Sequence, residues 1–430
     1  MRLPIALMDP GYRLFTAGNF FALQGMWAQR TIVAWLAWEL SGSAGWVGLI
    51  AFFSFAPTLV SGPIFGVLAD RSDLRHAVLL TESALALVSA ILFLALILDM
   101  LTLGALSALA LAQGIAISAH NPMRMALTPR LVRRPAIANA IAIGSMNFNL
   151  ARLSGPAVAG YAIAHFGAPA TQGVVALMPL PVIAALFVIR AYPATGTPSP
   201  RIGIFASIRE GARYVASHPP IRSAMALMAT FASVVRGVME LFPVIADGIF
   251  ERGASGLGAL MAAAGAGAFT AALWLATSDS VREREGESPH PPLRTYFALF
   301  GGFSAMTLLT VAPTWPAALA LVTMIGFCST IAGVTMQSVV QIAVSDAYRG
   351  RVMSLWIMTG IGGASLGSLT MGAAADLFGV GVTLRFTALT GAALIAVLLL
   401  LAAHRRRSSR SSASRNLERA AFEKGRPPPP

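Results

Sequence analysis

The chain has 430 residues, of which 56% are hydrophobic and only 11% charged, with a formal net charge of +13. A soluble domain carries about 25% charged residues, so this much apolar surface cannot be hidden in a water-soluble core and needs lipid as its solvent. The single cysteine, Cys328, excludes an intrachain disulfide and a cysteine-based metal site.

The first residues, "MRLPIALMDPGYR", lack the apolar core of a cleavable signal peptide, so the first span is expected to serve as its own insertion signal. Charges, prolines and glycines then punctuate the chain into twelve predicted helices at 14–39, 44–69, 77–98, 102–122, 137–164, 172–189, 222–246, 254–278, 294–312, 316–343, 352–376 and 383–403. "HFGAPATQG" divides the fifth from the sixth, and "APTWP" divides the ninth from the tenth. The fold expected is an all-α integral membrane protein, with twelve transmembrane helices in two six-helix pseudo-repeated bundles around a central cavity.

Basic residues set the expected orientation. Twenty-six of the 31 Lys and Arg fall in alternate connections, whereas the opposite loops hold only Arg252 and Arg385. Positive charge stays on the cytoplasmic side, which places both termini inside a bacterial cytoplasmic membrane. The net positive charge is thereby a mark of topology, and no nucleic-acid partner is expected. The organisation predicted is an N-terminal bundle (1–190), a cytoplasmic linker (191–221), a C-terminal bundle (222–403) and a basic, Ser- and Pro-rich tail (404–430) drawn to anionic lipid. Within the linker, Ile204, Ile208, Gly211 and Val215 share one face of a predicted amphipathic helix.

An internal duplication supports the two bundles. Displaced by 212 residues, Gly114 meets Gly326, Gly155 meets Gly367, Gly160 meets Gly372 and Phe166-Gly167 meets Phe378-Gly379; displaced by 209, Asp70 meets Asp279. Six plus six helices imply two bundles about a central pathway.

Ionisable groups inside spans are costly and point to function. Arg30, Arg152, Arg236 and Glu240 fall there. Arg236 and Glu240 stand four residues apart on one helix face, and self-neutralisation competes with a reach from Glu240 to Arg30. Asn121, Asn147, Asn149, Gln337 and Gln341 complete the candidate substrate or proton pathway, with bridging between helices as the plainer role of each. Glu82, near the start of span three, is expected to join the charged loop before it. His120 is expected to be solvated or to bridge helices. The best intramembrane proton carrier is Glu240. With more arginine than acid at mid-depth, the cavity is expected to favour an anionic or multiply hydroxylated substrate.

The charged bend "GVLADRSDLRH" (66–76) carries Gly66, Leu68, Ala69, Asp70, Arg71 and Arg75 in the pattern Gly-x-Leu-Ala-Asp-Arg-x-Gly-Arg-(Arg/Lys), with Asp73 in place of the glycine and Leu74 in place of an arginine. Between spans two and three, this resembles the signature loop of the major facilitator superfamily. The stretches 19–44, 127–160, 210–224 and 349–356 look like the bacterial branch that includes the enterobactin exporter, so the resemblance covers residues 12–403. It implies a gating latch in which Asp70, with Arg71 and Arg75, meets the start of span eleven near Arg349 and Arg351 when the cytoplasmic side is closed. In span five, Gly155, Pro156 and Gly160 are similar to the Gly-Pro motif of proton-coupled antiporters, although Ala151 stands where a further glycine belongs.

The function this implies is secondary active export of a small organic molecule, siderophore-like or drug-like, by alternating access with protons as coupling ion. Uptake of a nutrient or lipid-like solute is the alternative. No Gly-x-x-x-x-Gly-Lys-(Ser/Thr) loop is present to use ATP, and no nucleophile–base constellation marks an enzyme. No cofactor and no metal are expected. The partners expected are substrate, protons and membrane lipid, around a monomer.

Overall fold

The structure is a computed structural model that describes residues 4–189, 204–277, 291–345 and 348–400. The expected stretch "RAYPATGTPSPR" and the tail 404–430 lie outside the described residues. The described residues are helical throughout, with no strand among them. The helices are α1 (Pro10–Ser41), α2 (Ala44–Arg71), α3 (Leu74–Ile97), α4 (Leu103–Leu127), α5 (Ile137–Leu177), α6 (Leu180–Val188), α7 (Ile204–Ser217), α8 (Pro219–Phe231), α9 (Gly237–Glu240), α10 (Gly253–Thr277), α11 (Leu293–Leu309), α12 (Trp315–Ala343), α13 (Arg349–Phe378) and α14 (Val380–Leu400). Between α8 and α10 the chain also makes two π-helical turns, Ala232–Arg236 and Val244–Ile249.

Helix starts follow the local sequence. Ser43, Asp73, Thr102 and Thr314 each accept a hydrogen bond from a backbone N–H of the first turn they precede, as short polar side chains do at N-caps. Gly42, with φ +59°, ends α1 in the left-handed conformation and lets α2 start two residues later.

Eight helical segments among the described residues are long and apolar enough to cross a membrane. One of them, Arg134–Val188, makes two passes. Along α1, Tyr12 bonds to Ala140 and Gln24 to Ser154, so the start of α5 runs parallel to α1. Gly25 then meets Met178, Gly18 meets Val182 and Gly11 meets Ile189, so the chain returns antiparallel. The reversal falls at Gly167, at φ +80° and ψ 162° inside α5. Helix α1, the apolar part of α2 (Ala44–Leu59) and the shorter α11 pack within the same bundle. The spans therefore follow the expected order. The sixth is split between the end of α5 and α6, and the seventh is broken by its π turns.

The duplication reappears as paired helix crossings. A Cβ on Gly114 would strike the Ser54 carbonyl, and one on Gly326 would strike that of Ala264. Gly155 lies against the Gln24 carbonyl, and Gly367 against that of Ser233. Gly160 meets Gly258, where an added Cβ would come within 2.5 Å of a Cα, and Gly372 meets Gly48. Each second crossing is the first displaced by about two hundred residues. The glycines are there because backbones that approach this closely leave no room for a side chain.

The starts of α1, α5, α8 and α13 share one end of the bundle, here the near end; the turns at Gly42, Gly167, Gly253 and Gly379 mark the far end. Residues of the first repeat meet those of the second in α2 against α13, α5 against α10 and α1 against α9–α10. Some of them lie at the far end. There the Asp376 carboxylate accepts from the Ser43 hydroxyl at 2.5 Å and from the Gly45 N–H at 3.0 Å. Asp376 thus caps α2 from the opposite repeat, placing negative charge on a helix N-terminus.

Candidate functional site

Halfway along the bundle, α1 and α9 lie side by side and exchange charge. Arg30 donates through Nη2 to Glu240 Oε1. Further toward the far end, Trp38 Nε1 donates to Asp247 Oδ2 at 2.8 Å. A displacement of 210 residues carries Arg30 onto Glu240, and one of 209 carries Trp38 onto Asp247. Both contacts therefore join equivalent places in the two repeats, on the line about which the repeats are related. The Arg30 guanidinium also sits over the Trp27 and Phe55 rings, 5.3 and 4.6 Å from their centroids. Trp27 meets Phe148 edge-on at 5.8 Å, and its indole N–H is buried with no acceptor among the described residues.

Arg236 closes the π turn one helical turn before Glu240. It lies within electrostatic range of Arg30, Arg152 and Glu240. Of the two possible partners for Glu240, Arg30 takes the hydrogen bond. Neither Arg152 nor Arg236 makes a hydrogen bond or salt bridge among the described residues. Arg152 is half-buried and Arg236 exposed. Three guanidinium groups thus share one carboxylate.

The other predicted pathway residues are dispersed. Asn147 donates to Thr16 on α1, at 3.3 Å to the hydroxyl and 3.5 Å to the carbonyl, whereas Asn149 bonds back to the Ser145 carbonyl of its own helix at 2.9 Å. Neither asparagine neutralises an arginine. Asn121, Gln337 and Gln341 make no hydrogen bond among the described residues. Gly155 and Gly160 are the crossing points of α5 on α1 and α10, and Pro156 is buried between them. The motif-like residues therefore act here as packing surfaces.

The expected latch centres on Asp70 and Arg71, which end α2 and whose side chains lie outside the described ones. Arg75 turns away from α13 and donates to the Leu186 carbonyl at 2.7 Å and the Phe187 carbonyl at 3.2 Å, at the end of α6. Those carbonyls have no intrahelical donor, so a guanidinium satisfies them. Arg351 pairs with Glu210 of α7 at 2.7 Å and lies over the Tyr348 ring. Arg349 is exposed at the start of α13. The predicted amphipathic helix α7 therefore docks on α13: Gly211 lies against Leu355, and Tyr214 stacks on Tyr348 at 4.4 Å. Asp73, the departure from the glycine of the signature, is the N-cap of α3. It accepts from the Arg75 and His76 N–H groups at 2.9 and 3.2 Å.

A second charged cluster escaped the sequence. Glu82 does not join the charged loop; it is 3% exposed and faces His120 of α4, Oε1 to Nε2 at 3.7 Å. The other ring nitrogen of His120 lies 3.1 Å from the Thr81 hydroxyl, and Arg124 interacts electrostatically with Glu82. The available signal was weak: Glu82 stands two turns inside α3 and His120 above Arg124 on α4, but nothing local says that the faces meet.

Two repeated helical bundles that cross at glycines, with a charged cluster on the line between them, have the architecture of a membrane transporter of the major facilitator type. The chain belongs to the transmembrane secretion effector family of that superfamily, whose family model matches residues 6–424. It is 25% identical over 372 residues to the enterobactin exporter EntS of Escherichia coli O1:K1, covering 86% of this chain and 87% of that protein. The fold is similar to that of a bacterial homologue of the human lysosomal transporter Spinster, in its inward-facing and unoccupied conformation, at TM-score 0.70 and 14% identity, over 91% of this chain and 96% of that one. It is also similar to the nucleoside transporter NupG, at TM-score 0.64 and 13% identity, over 91% and 98% of the two chains.

Proposed function

We propose that this protein is a secondary active exporter of a small organic molecule, working by alternating access in a bacterial cytoplasmic membrane. Residues 1–190 and 222–403 form the two rocking bundles, with 191–221 as the connecting segment and 404–430 as a cytoplasmic tail. The distribution of arginine supports a cytoplasmic near end and cytoplasmic termini. The observation that carries the reading is the difference along the bundle: Asp376 on α2 and Trp38 on Asp247 tie the repeats together toward the far end, while Arg236 is exposed and Arg152 half-buried at mid-depth. Closure toward the far end with accessible charge at mid-depth supports one state of an alternating-access cycle. The direction rests on the exporter relative. Proton antiport is the proposed drive, with Glu240 as the buried carboxylate on the line between the repeats.

Comparative metabolite analysis of cells with and without the gene tests this reading. Export predicts that loss of the gene raises the intracellular level of at least one organic solute, and that a protonophore has the same effect in cells that carry the gene. A lower intracellular level without the gene identifies uptake and overturns the proposed direction. Export that persists after the protonophore overturns proton coupling.

A further inference from the structure

We propose that Arg152 and Arg236, with Arg30 beside them, form a binding site for an aromatic organic anion, whose charge competes with Glu240 for Arg30. The inference rests on the transporter reading and names the substrate class for its cavity. Charge is the first observation. Arginine stays protonated in proteins and offers five donors in a planar fork. Arg152 and Arg236 direct none of theirs to a described residue, and the only carboxylate in the cluster is bound to Arg30. Arg236 lies within electrostatic range of both Arg30 and Arg152 and is repelled by each, and an anion that bridges Arg236 to either one relieves that repulsion. A lipophilic cation would add to it.

The second observation is the wall of rings. Arg30 spans Trp27 and Phe55, and Phe148 closes on Trp27 from the other side. A buried indole N–H without an acceptor stands in the same group. Guanidinium groups beside aromatic faces suit a flat ring that carries a carboxylate or ionised hydroxyls, because the charge can pair while the ring stacks. The third observation is local backbone. Arg236 ends a π turn, and a second π turn follows Glu240; such wide turns are rare and recur at functional sites. Gly237, directly after Arg236, packs against Gly367, so the turn that presents Arg236 is held rigidly against α13.

Binding to the purified full-length protein in lipid nanodiscs tests the site, read by tryptophan fluorescence and by calorimetry. The probes are salicylate as aromatic anion, cyclohexanecarboxylate as aliphatic anion and benzylamine as aromatic cation. Saturable binding of salicylate is expected, at least tenfold tighter than cyclohexanecarboxylate, with no saturation by benzylamine. Arg152→Gln and Arg236→Gln are each expected to weaken salicylate at least tenfold, and Arg236→Lys to retain part of the affinity. Glu240→Gln is expected to tighten salicylate several-fold, because it removes the competitor for Arg30; a merely structural role for the ion pair predicts the opposite sign. Circular dichroism and gel filtration exclude misfolded variants, and the Lys and Glu240 variants still decide if a Gln variant fails to fold. Benzylamine binding as tightly as salicylate, or unchanged affinity in the double Gln variant, overturns the anion site. Equal affinity for cyclohexanecarboxylate overturns its aromatic part. The two readings fail separately: salicylate binding by a protein that exports nothing removes the exporter reading, and export without salicylate binding removes this one.

Discussion

Two charged clusters lie inside the bundle, built from similar residues and put to different uses. Between α3 and α4, Glu82, His120, Thr81 and Arg124 are packed together, with both Glu82 and His120 almost wholly buried. One acid faces one arginine, and each ring nitrogen of the histidine has a neighbour within 3.7 Å. Between the repeats, Arg30, Arg152 and Arg236 outnumber Glu240, and none of the three arginines is fully buried. Burial is affordable only for a balanced set, because an unpaired ion in low dielectric loses its hydration without return. A cluster that leaves charge unbalanced must keep its water or meet an ion from outside. The balanced cluster fastens two helices, and the unbalanced one awaits a charge.

The largest effect expected is at the unbalanced cluster. Arg152→Gln with Arg236→Gln removes two charge-assisted bonds to substrate, each worth about 1.5–3 kcal/mol, so transport in whole cells should fall by roughly a hundredfold or more. Thermal unfolding in detergent should be unchanged, since neither side chain bonds to a described residue. A large drop in melting temperature would show that these arginines hold the fold and would erase the contrast.

The balanced cluster should respond the other way. Glu82→Ala leaves half-buried Arg124 without the acid nearest it, a loss of about 1–3 kcal/mol, visible as a lower melting temperature. Adding Arg124→Met should recover much of it. Transport per folded molecule should stay near the parent's. Selective loss of transport with full stability would move Glu82 into the functional set.

Far-end closure supplies a smaller effect. Asp376→Ala removes the carboxylate that joins Ser43 and Gly45 to α13, at a cost of about 2 kcal/mol to the closed arrangement. In a Cys328→Ser background that carries Ser41→Cys, Asp376→Ala should speed labelling by a membrane-impermeant maleimide several-fold. Unchanged labelling would show that the other crossings hold this end shut alone.

The smallest effect expected is at the helix cap. Asp73→Ala should cost about 1 kcal/mol. The carboxyl of Asp73 is held below the ordinary carboxylate range, first by its side-chain bond with His76 and then by the backbone N–H of His76. Its contribution is therefore complete above about pH 4 and is lost as the pH falls through the lower native value. Melting curves of parent and variant should converge in acid; a gap that persists at low pH would mean that the cap does not act through its charge.

Much of the architecture was legible because it is written locally. Apolar runs of membrane length, and Ser, Thr or Asp ahead of them, mark helices and their starts whatever packs beside them. The displacement that aligns Gly114, Gly155 and Gly160 with Gly326, Gly367 and Gly372 was legible too, since close crossings select glycine in both repeats. At the site, Arg30, Arg152, Arg236 and Glu240 stood out because charge at mid-span is rare. Their pairing did not. Sequence spacing favours Arg236 with Glu240, yet the hydrogen bond goes to Arg30, 210 positions away.

By itself, the sequence determined that this chain lives in a membrane, roughly where it crosses, that it is doubled and which residues bear charge at depth. These follow from solvation and from the geometry of single helices. Tertiary structure alone decided which charges meet. Glu82 with His120, Asp376 with the start of α2, Arg75 with the end of α6 and Arg30 with Glu240 all join separate helices. Each depends on how two helices slide and rotate against each other. That register is set by glycine crossings such as Gly160 on Gly258 and Gly48 on Gly372, where backbone contact fixes the offset to within a residue, and no residue-by-residue pattern along one helix encodes it.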